Sequence, residues 1–212
     1  FMEEFITQTP VATIIFLITI ITSLFAFSNA EVYGKFMLHP YSVSRGSRIY
    51  SIITSGLIHR DWMHLLMNML SYFFFAFPLE RTFASASSWG HIQFGMLYVV
   101  SLILSDMGSI IKHKNDFWYN SLGASGAVCA VVFSYILFYP LTKMLILPIP
   151  IPIPAVLYGF LFLGYCMYAT NHAQDSINHD AHFLGAIAGV LITIILYPNI
   201  VGYFISQLMG GF

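Results

Sequence analysis

The sequence predicts an all-α membrane protein with six transmembrane helices and a long, membrane-embedded first loop. Of the 212 residues, 58% are hydrophobic and only 8% are charged. Soluble globular domains carry about a quarter charged residues, so this chain has too few charges to cover a soluble surface. The charged residues also divide the chain into apolar stretches, and most of these are long enough to cross a bilayer.

The boundaries of the apolar stretches define the predicted spans. A helix needs about 20 apolar residues to cross the hydrocarbon core. One stretch, 65–79, is short, so its span must begin near Trp62 and carry His64 and Asn68 inside it. We predict a single domain, 1–212, with spans at about 10–28, 62–79, 89–106, 121–140, 154–171 and 181–198. The first run is expected to be a span and not a cleavable signal, because it lacks a basic lead and is too long.

The connections between the spans differ in length and character. The first, about Asn29 to Arg60, is long and rich in aromatic and aliphatic residues, which predicts a structured, partly embedded loop with a short helix. Between the fourth and fifth predicted spans, prolines alternate with isoleucines from Pro148 to Pro154. Proline removes a backbone donor and clashes with the preceding helical turn, so this segment predicts an extended, polyproline-like connection.

Composition also excludes several partners. The formal charge of −1 provides no basic surface for nucleic acid. The two cysteines, Cys129 and Cys166, lie in apolar runs and are expected to be core residues without a disulfide. The lipid bilayer is the expected surrounding, no cofactor is expected, and the sequence does not determine the oligomeric state.

Three groups of polar residues are predicted to converge on one side of the membrane. With six spans, the first, third and fifth connections share one face. His64 and Asn68 follow the first connection, Ser125 follows the third and His182 follows the fifth. Five residues of helix descend about 7–8 Å, so these side chains are expected at a similar depth, below the headgroups.

Ser125 and His182 each lie among small residues. Gly123 and Gly126 flank Ser125, and Gly185 and Gly189 follow His182 on the same helical face. Helices that meet at such residues approach closely enough for a serine nucleophile and a histidine base to form a hydrogen bond. Taken alone, however, the serine motif is equally typical of helix packing, and the histidine could be an interfacial residue at a helix start.

His64 and Asn68 are four residues apart, on one face of the short second span. Both side chains can donate hydrogen bonds, so together they could stabilise an oxyanion. Their alternative role is to join two helices by hydrogen bonds.

These motifs resemble those of the rhomboid intramembrane protease family. The family pattern is His-x-x-x-Asn in the second core helix, Gly-x-Ser-Gly at the start of the fourth, and Ala-His-x-x-Gly-x-x-x-Gly at the start of the sixth. All three occur here in order, and the resemblance covers nearly the whole chain. It implies a rhomboid-like bundle in which Ser125 is the nucleophile and His182 its base. It further implies an oxyanion hole formed by the Ser125 backbone N–H with His64 and Asn68.

Two positions depart from the family pattern. Many members carry an aromatic residue four positions after the nucleophile, under the histidine ring, where this chain has Cys129. The family's Trp-Arg pair in the first loop has no clear match, and Tyr50-Ser51 stands near that position. Ring stacking on His182 is therefore not expected.

Other functions receive less support from the sequence. There is no His-Glu-x-x-His motif for a zinc protease, no aspartyl pair beside Asp106, and no inverted repeat typical of a transporter. One group of residues around the fifth connection could bind a metal, although no cysteine is expected to complete it. Its members are His172, Asp175, His179, Asp180 and His182. The main alternative is a rhomboid-like protein that binds membrane-protein clients without catalysis. Such a protein would be expected to lack the serine or the histidine.

The expected partner is a transmembrane helix of a substrate protein, and the expected location is the cell (inner) membrane. Basic residues are concentrated on the site face, which by the positive-inside rule predicts a cytoplasmic site. The family resemblance implies the extracytoplasmic side instead. We follow the resemblance, because part of the basic excess lies in the long first loop.

Overall fold

The computed structural model describes residues 6–146, 149–172 and 177–210, and these residues are mostly helical. The longer helices are α1 (Pro10–Ser28), α5 (Trp62–Ala86), α6 (Gly90–His113), α7 (Ser125–Phe138), α8 (Ala155–His172), α9 (His179–Leu196) and α10 (Ile200–Gly210). The first loop contains the short helices α2 (Ala30–Phe36), α3 (Pro40–Val43) and α4 (Ser51–Thr54), followed by a 3-10 turn at Ser55–Leu57. The prediction of an all-α membrane bundle is confirmed.

Four helices of the described chain, α1, α5, α6 and α9, are long and apolar enough to cross a membrane. Three others are apolar but shorter, namely α7, α8 and α10. The helices α1, α5, α6, α7, α8 and α9 overlap the six predicted spans in order. The span count and the single-domain boundaries stay predictions, and α10 is a further helix that the sequence did not indicate.

The outer surface of the bundle is strongly apolar. Helix α1 alone exposes six large hydrophobic side chains, Ile14, Leu17, Ile18, Ile21, Leu24 and Phe25. Water would hydrate such a surface at a high cost, whereas lipid chains solvate it well.

Helix α7 lies in the middle of the bundle. Nine of its residues are buried, and it packs against α5, α6 and α9. Its contact with α9 is the most extensive in the molecule. The helix that begins at Ser125 is thus fixed on several sides.

Glycines bring α7 and α9 into backbone contact. A Cβ atom on Gly185 would overlap the carbonyl oxygen of Gly126, and one on Gly189 would overlap that of Ala130. One turn further along α9, the hydroxyl of Thr193 is 2.7 Å from that of Ser134 on α7. The small residues that the sequence indicated therefore lie at this interface.

The buried carboxylate of Glu80 joins three helices at the end of the bundle opposite Ser125. It accepts the backbone N–H groups of Val11 and Ala12, at 3.1 and 2.7 Å, in the first turn of α1. It also contacts Nδ1 of His91 on α6 at 2.7 Å. The first N–H groups of a helix have no intrahelical acceptor, so Glu80 satisfies donors that would otherwise be unpaired in an apolar setting.

The proline-rich connection differs from its predicted conformation. Strand β1 (Lys143–Ile146) pairs in antiparallel fashion with β2 (Ile149–Pro154), so the segment is extended as predicted but belongs to a hairpin. The alternation of proline and isoleucine explains why the segment can form a strand. Prolines two residues apart remove the N–H donors from one edge of the strand only, and the N–H groups of the isoleucines remain on the other edge. Pro148 lies outside the described residues.

Candidate active site

The site residues that the sequence singled out line one cavity. Ser125, His182, His64 and Asn68 all contribute to its wall, although they come from three different helices. The cavity has a volume of about 1050 Å³. This is large enough for a stretch of extended peptide and for water.

Ser125 is the first residue of α7. The helix begins there because Gly123 adopts φ +118, a conformation that side-chain-bearing residues rarely reach, and this turns the chain into the helix. The first intrahelical bond runs from Val128 N to Ala124 O at 2.9 Å. The N–H of Ser125 therefore belongs to the free donors of the helix start, where the helix dipole also favours negative charge.

The first loop fixes the segment that precedes Ser125. The backbone of Leu38 pairs with that of Ser121 in both directions, at 2.9 and 3.1 Å, and Gly123 N donates to Ser55 O at 2.9 Å. The loop is thus structured, as the sequence predicted.

Arg48 organises the first loop itself. Its backbone is left-handed, with φ 54, and its guanidinium donates to the carbonyl oxygens of Gly34, Lys35 and Met37 at the end of α2. A guanidinium with several planar donors suits this task. The sequence did not reveal this role, because a single arginine in a basic loop forms no pattern.

His64 lies directly over the turn that leads to Ser125. A Cβ atom on Gly123 would be 2.7 Å from Cε1 and 3.0 Å from Nε2 of the His64 ring. On the other side of the ring, the backbone N–H of Arg60 donates to Nδ1 at 3.4 Å. A backbone N–H can only donate, so Nδ1 is the acceptor and the neutral ring carries its proton on Nε2, the atom that faces Gly123.

Asn68 lies one turn below His64 and is only 7% exposed. Its Nδ2 donates to the carbonyl oxygen of His64 at 3.0 Å. An amide nitrogen carries two hydrogens, so one remains for the cavity that Asn68 lines.

His182 is held in the first turn of α9. The helix begins at His179, two residues before the predicted start of this span, because the Asn178 side chain caps it by accepting Ala181 N at 3.1 Å. Asn178 also donates to the hydroxyl of Ser109 on α6 at 2.7 Å. These bonds anchor the start of α9 beside the cavity.

The ring of His182 stacks on an aromatic residue that the sequence did not indicate. Phe162 of α8 lies with its ring centroid 6.3 Å from that of His182 and an interplanar angle of 25°. Cys129, which occupies the family's aromatic position, lines the same cavity. The expectation that no ring stacks on His182 is therefore wrong, because α8 supplies the aromatic neighbour.

The candidate metal ligands that the sequence suggested do not all lie together in the structure. His172 lies exposed at the end of α8 and stacks on Tyr168, and Asp180 pairs with Lys112 at 2.7 Å. Asp175 lies outside the described residues. His179 and His182, in contrast, approach Cys166, and the possible ligand atoms of these three residues lie within 4.8 Å of one another. The expectation that no cysteine completes a set is thus wrong, because α8 brings Cys166 against the start of α9.

Titratable groups line the cavity or lie next to the residues that line it. Asp61 caps α5 by accepting His64 N at 2.8 Å, and the pKa of its carboxyl is lowered by the Arg60 side chain and by this backbone bond. Burial lowers the pKa of His59 to about 3, and its Nδ1 is 3.0 Å from the hydroxyl of Ser23. Burial also raises the pKa of the Tyr119 phenol. These surroundings favour a neutral His59 next to the His64 ring, 5.0 Å away.

Comparison with known proteins gives a consistent result. The family model described as "Rhomboid domain" matches residues 46–199. The chain is 26% identical to the mitochondrial RHOMBOID-like protein 12 of Arabidopsis thaliana over 74% of its length, and 25% identical to Rhomboid-related protein 1 of Caenorhabditis elegans over 87%. It is 28% identical over 68% of its length to a Bacillus subtilis (strain 168) protein, YdcA, whose name provisionally assigns it as a rhomboid protease. These matches cover 50%, 49% and 65% of the respective relatives, so the chain spans about half to about two thirds of their length.

Proposed function

The chain belongs to the rhomboid family, and on this premise we propose that it is an intramembrane serine endopeptidase that cleaves transmembrane segments of other proteins. The observation that carries the proposal is the convergence of Ser125, His182, His64 and Asn68 on one cavity. Helices α5, α7 and α9 each contribute at least one of these residues near their start. No residue besides Ser125 and His182 is required for the transfer of the proton.

In the proposed reaction, Ser125 Oγ attacks the carbonyl carbon of a substrate peptide bond while the His182 ring accepts the hydroxyl proton. The tetrahedral intermediate then breaks its C–N bond, and His182 returns the proton to the leaving amine. This leaves an acyl ester on Ser125. A water molecule, deprotonated by His182, hydrolyses the ester and regenerates the serine.

Three donors are available for the oxyanion that forms in this reaction. The Ser125 N–H lies at the start of α7, His64 carries its proton on Nε2 beside Gly123, and Asn68 has a second amide hydrogen. Donors fixed before the reaction stabilise the developing charge at no cost of reorganisation.

The protein is an integral membrane protein, and the bilayer determines what the substrate must do. A substrate helix in lipid hides its carbonyl groups in hydrogen bonds, so it has to unwind before Ser125 can reach one. We expect substrates with glycine or proline near one membrane face, because these residues are the poorest helix formers and such segments unwind at the lowest cost.

We place the site on the extracytoplasmic side of a cell (inner) membrane. This follows the family and opposes the positive-inside rule, since basic residues lie mainly on the site face. In the structure, several of them are engaged within the protein: Arg48 binds α2, Arg45 binds the carbonyl oxygens of Tyr41 and Lys114, and Lys112 pairs with Asp180.

The proposal is tested by labelling the purified protein with a fluorophosphonate probe and by cleavage of a model transmembrane substrate. Wild type should be labelled and should cleave, while Ser125→Ala should do neither. Ser134→Ala is the matched control, because it removes a buried hydroxyl from the same helix, away from the cavity, and should retain both activities. A protein that binds clients without catalysis would take no label, and equal labelling of Ser125→Ala would exclude this nucleophile.

A further inference from the structure

Cys166, His179 and His182 form a compact group of metal-binding side chains next to the proposed nucleophile. Each residue offers one ligand atom, and these atoms lie within 4.8 Å of one another. We propose that this group is an inhibitory site for a thiophilic divalent cation of the zinc class. The inhibitory part rests on the proposed protease function, whereas the binding part does not.

The donor set matches the chemistry of such a cation. Zinc is bound in proteins by cysteine sulfur and histidine nitrogen, and three protein ligands with one open position are typical of its non-structural sites. Hard cations such as magnesium and calcium prefer oxygen ligands, and the group contains none. Binding would release the thiol proton of Cys166 to water, because the thiolate is the ligand.

The positions of the three side chains make closure around an ion feasible. His179 and His182 are three residues apart and therefore neighbours on the first turn of α9. Cys166 is fully buried on α8, and His179 is 5% exposed, so two ligands are shielded from lipid and water. Tetrahedral zinc with its usual bond lengths separates its ligands by roughly 3.3–3.6 Å, so the ligand atoms would have to approach by at most about 1.5 Å.

An ion held by this group would be within reach of the cavity through His182. His182 lines that cavity together with Ser125, so water can reach an ion held by His182. The open position thus remains accessible, as expected for a site that exchanges its ion.

An ion on His182 would remove the general base whichever ring nitrogen it occupied. If the ion binds the nitrogen that faces Ser125, it occupies the lone pair that would otherwise accept the hydroxyl proton. If it binds the other nitrogen, the neutral ring must carry its proton on the nitrogen that faces Ser125, and this atom can then only donate. In both cases the hydroxyl proton of Ser125 has no acceptor on the ring.

The binding part is tested with Co²⁺, which replaces zinc and gives an absorption band from thiolate coordination. The Ser125→Ala protein in detergent should show this band upon addition of Co²⁺, because all three ligands remain. The double variant Ser125→Ala/Cys166→Ser, in which serine preserves the size of the side chain, should lack the band. Adding Cys129→Ser, the matched change at the other cysteine, should leave it unchanged. A missing band in Ser125→Ala, or a band that persists without Cys166, would overturn the proposal.

The inhibitory part is tested by cleavage of the model substrate at increasing Zn²⁺ concentration. Wild type should lose activity, and Cys166→Ser and His179→Gln should each need at least about 100-fold more Zn²⁺, since even an indirect supporting partner of a metal site contributes 10–100-fold. His172→Gln, the exposed control, should be inhibited as wild type is. Excess chelator should restore the activity of wild type.

The possible failures are distinguishable. If the protein binds Co²⁺ through Cys166 but cleaves no substrate even with chelator, the protease function fails and the binding site stands. If it cleaves substrate and Zn²⁺ inhibits wild type and Cys166→Ser equally, the inhibitory site is refuted while the protease function stands.

Discussion

Asn68 illustrates how one side chain can serve both the fold and the chemistry. Its amide nitrogen donates to the His64 carbonyl at 3.0 Å, and the residue also lines the cavity. The hydrogen bond along the helix keeps the side chain in one rotamer. The second hydrogen on the same nitrogen therefore has a fixed direction, because the first hydrogen bond already holds the amide in place.

We predict that Asn68→Ala slows cleavage about 10–1,000-fold, with kcat and kcat/KM falling together, because an oxyanion donor acts mainly in the transition state. The melting temperature should change little, because the hydrogen bond that Asn68 donates to the His64 carbonyl lies within helix α5 and joins no second helix. Turnover and melting temperature are measured on the same preparation. Ser71→Ala, a polar residue on the same helix and in the same cavity, is the control and should cleave at nearly the wild-type rate. A variant that melts early but cleaves at full speed when folded would make Asn68 a packing residue.

Between α7 and α9, the separation of two helices is determined by their backbones. No side chain stands between Gly185 and Gly126 or between Gly189 and the carbonyl of Ala130. This places Ser125 and His182, at the starts of their helices, on the same side of the contact. The distance between the proposed nucleophile and its base therefore depends on the absence of two methyl groups.

At this contact, we predict that Gly185→Ala destabilises the protein by about 1–3 kcal/mol and lowers activity per folded molecule, because the added methyl group has to push the two backbones apart. The matched control is Gly164→Ala on α8, where an added Cβ meets no atom within 4 Å. That variant should be neutral, or more stable by up to about 1 kcal/mol, since alanine is the better helix former. Thermal unfolding and substrate cleavage are compared for both. Equal behaviour of the two variants would show that the contact does not control the site.

For the molecule as a whole, His59 links the stability of the fold to pH. Burial holds its pKa at about 3, compared with an ordinary value of 6.5. Between these two values the unfolded chain binds a proton that the folded protein excludes, so stability is complete above 6.5 and is lost as the pH falls toward 3. The expected loss is about 1.4 kcal/mol for each pH unit below 6.5.

Accordingly, we predict that the melting temperature of wild type falls more steeply between pH 7 and pH 5.5 than that of His59→Gln. Titratable groups far from His59 contribute equally to both proteins, so the difference between the slopes reports His59 together with its coupling to the neighbouring His64. His172→Gln, at an exposed histidine, should keep the wild-type slope. Parallel slopes for wild type and His59→Gln would mean that His59 does not control the acid sensitivity.

Across the whole molecule, the sequence could predict what depends on helical periodicity. The pairs His64 with Asn68, and His182 with Gly185, follow from spacings of four and three residues, and the apolar runs define the long helices. The contributions of Phe162 and Cys166 could not be predicted, because they depend on the rotation of α8 relative to α9, which no local pattern encodes. The role of Arg48 depends on its left-handed backbone. The hairpin depends on which edge of the strand lacks N–H donors because of the prolines.

The glycine contact between α7 and α9 also has a consequence for the motions of the protein. Exposed side chains change rotamer within nanoseconds, and packed side chains at an ordinary helix interface also change rotamer, so the gap between two such helices can adjust locally. Backbone atoms have no rotamers, so the two helices that carry Ser125 and His182 can separate only by moving as whole bodies, which takes microseconds or longer. Thermal noise on the faster timescales should therefore leave the spacing of these helices nearly unchanged, and heat should impair catalysis abruptly, when the helices part, and not gradually.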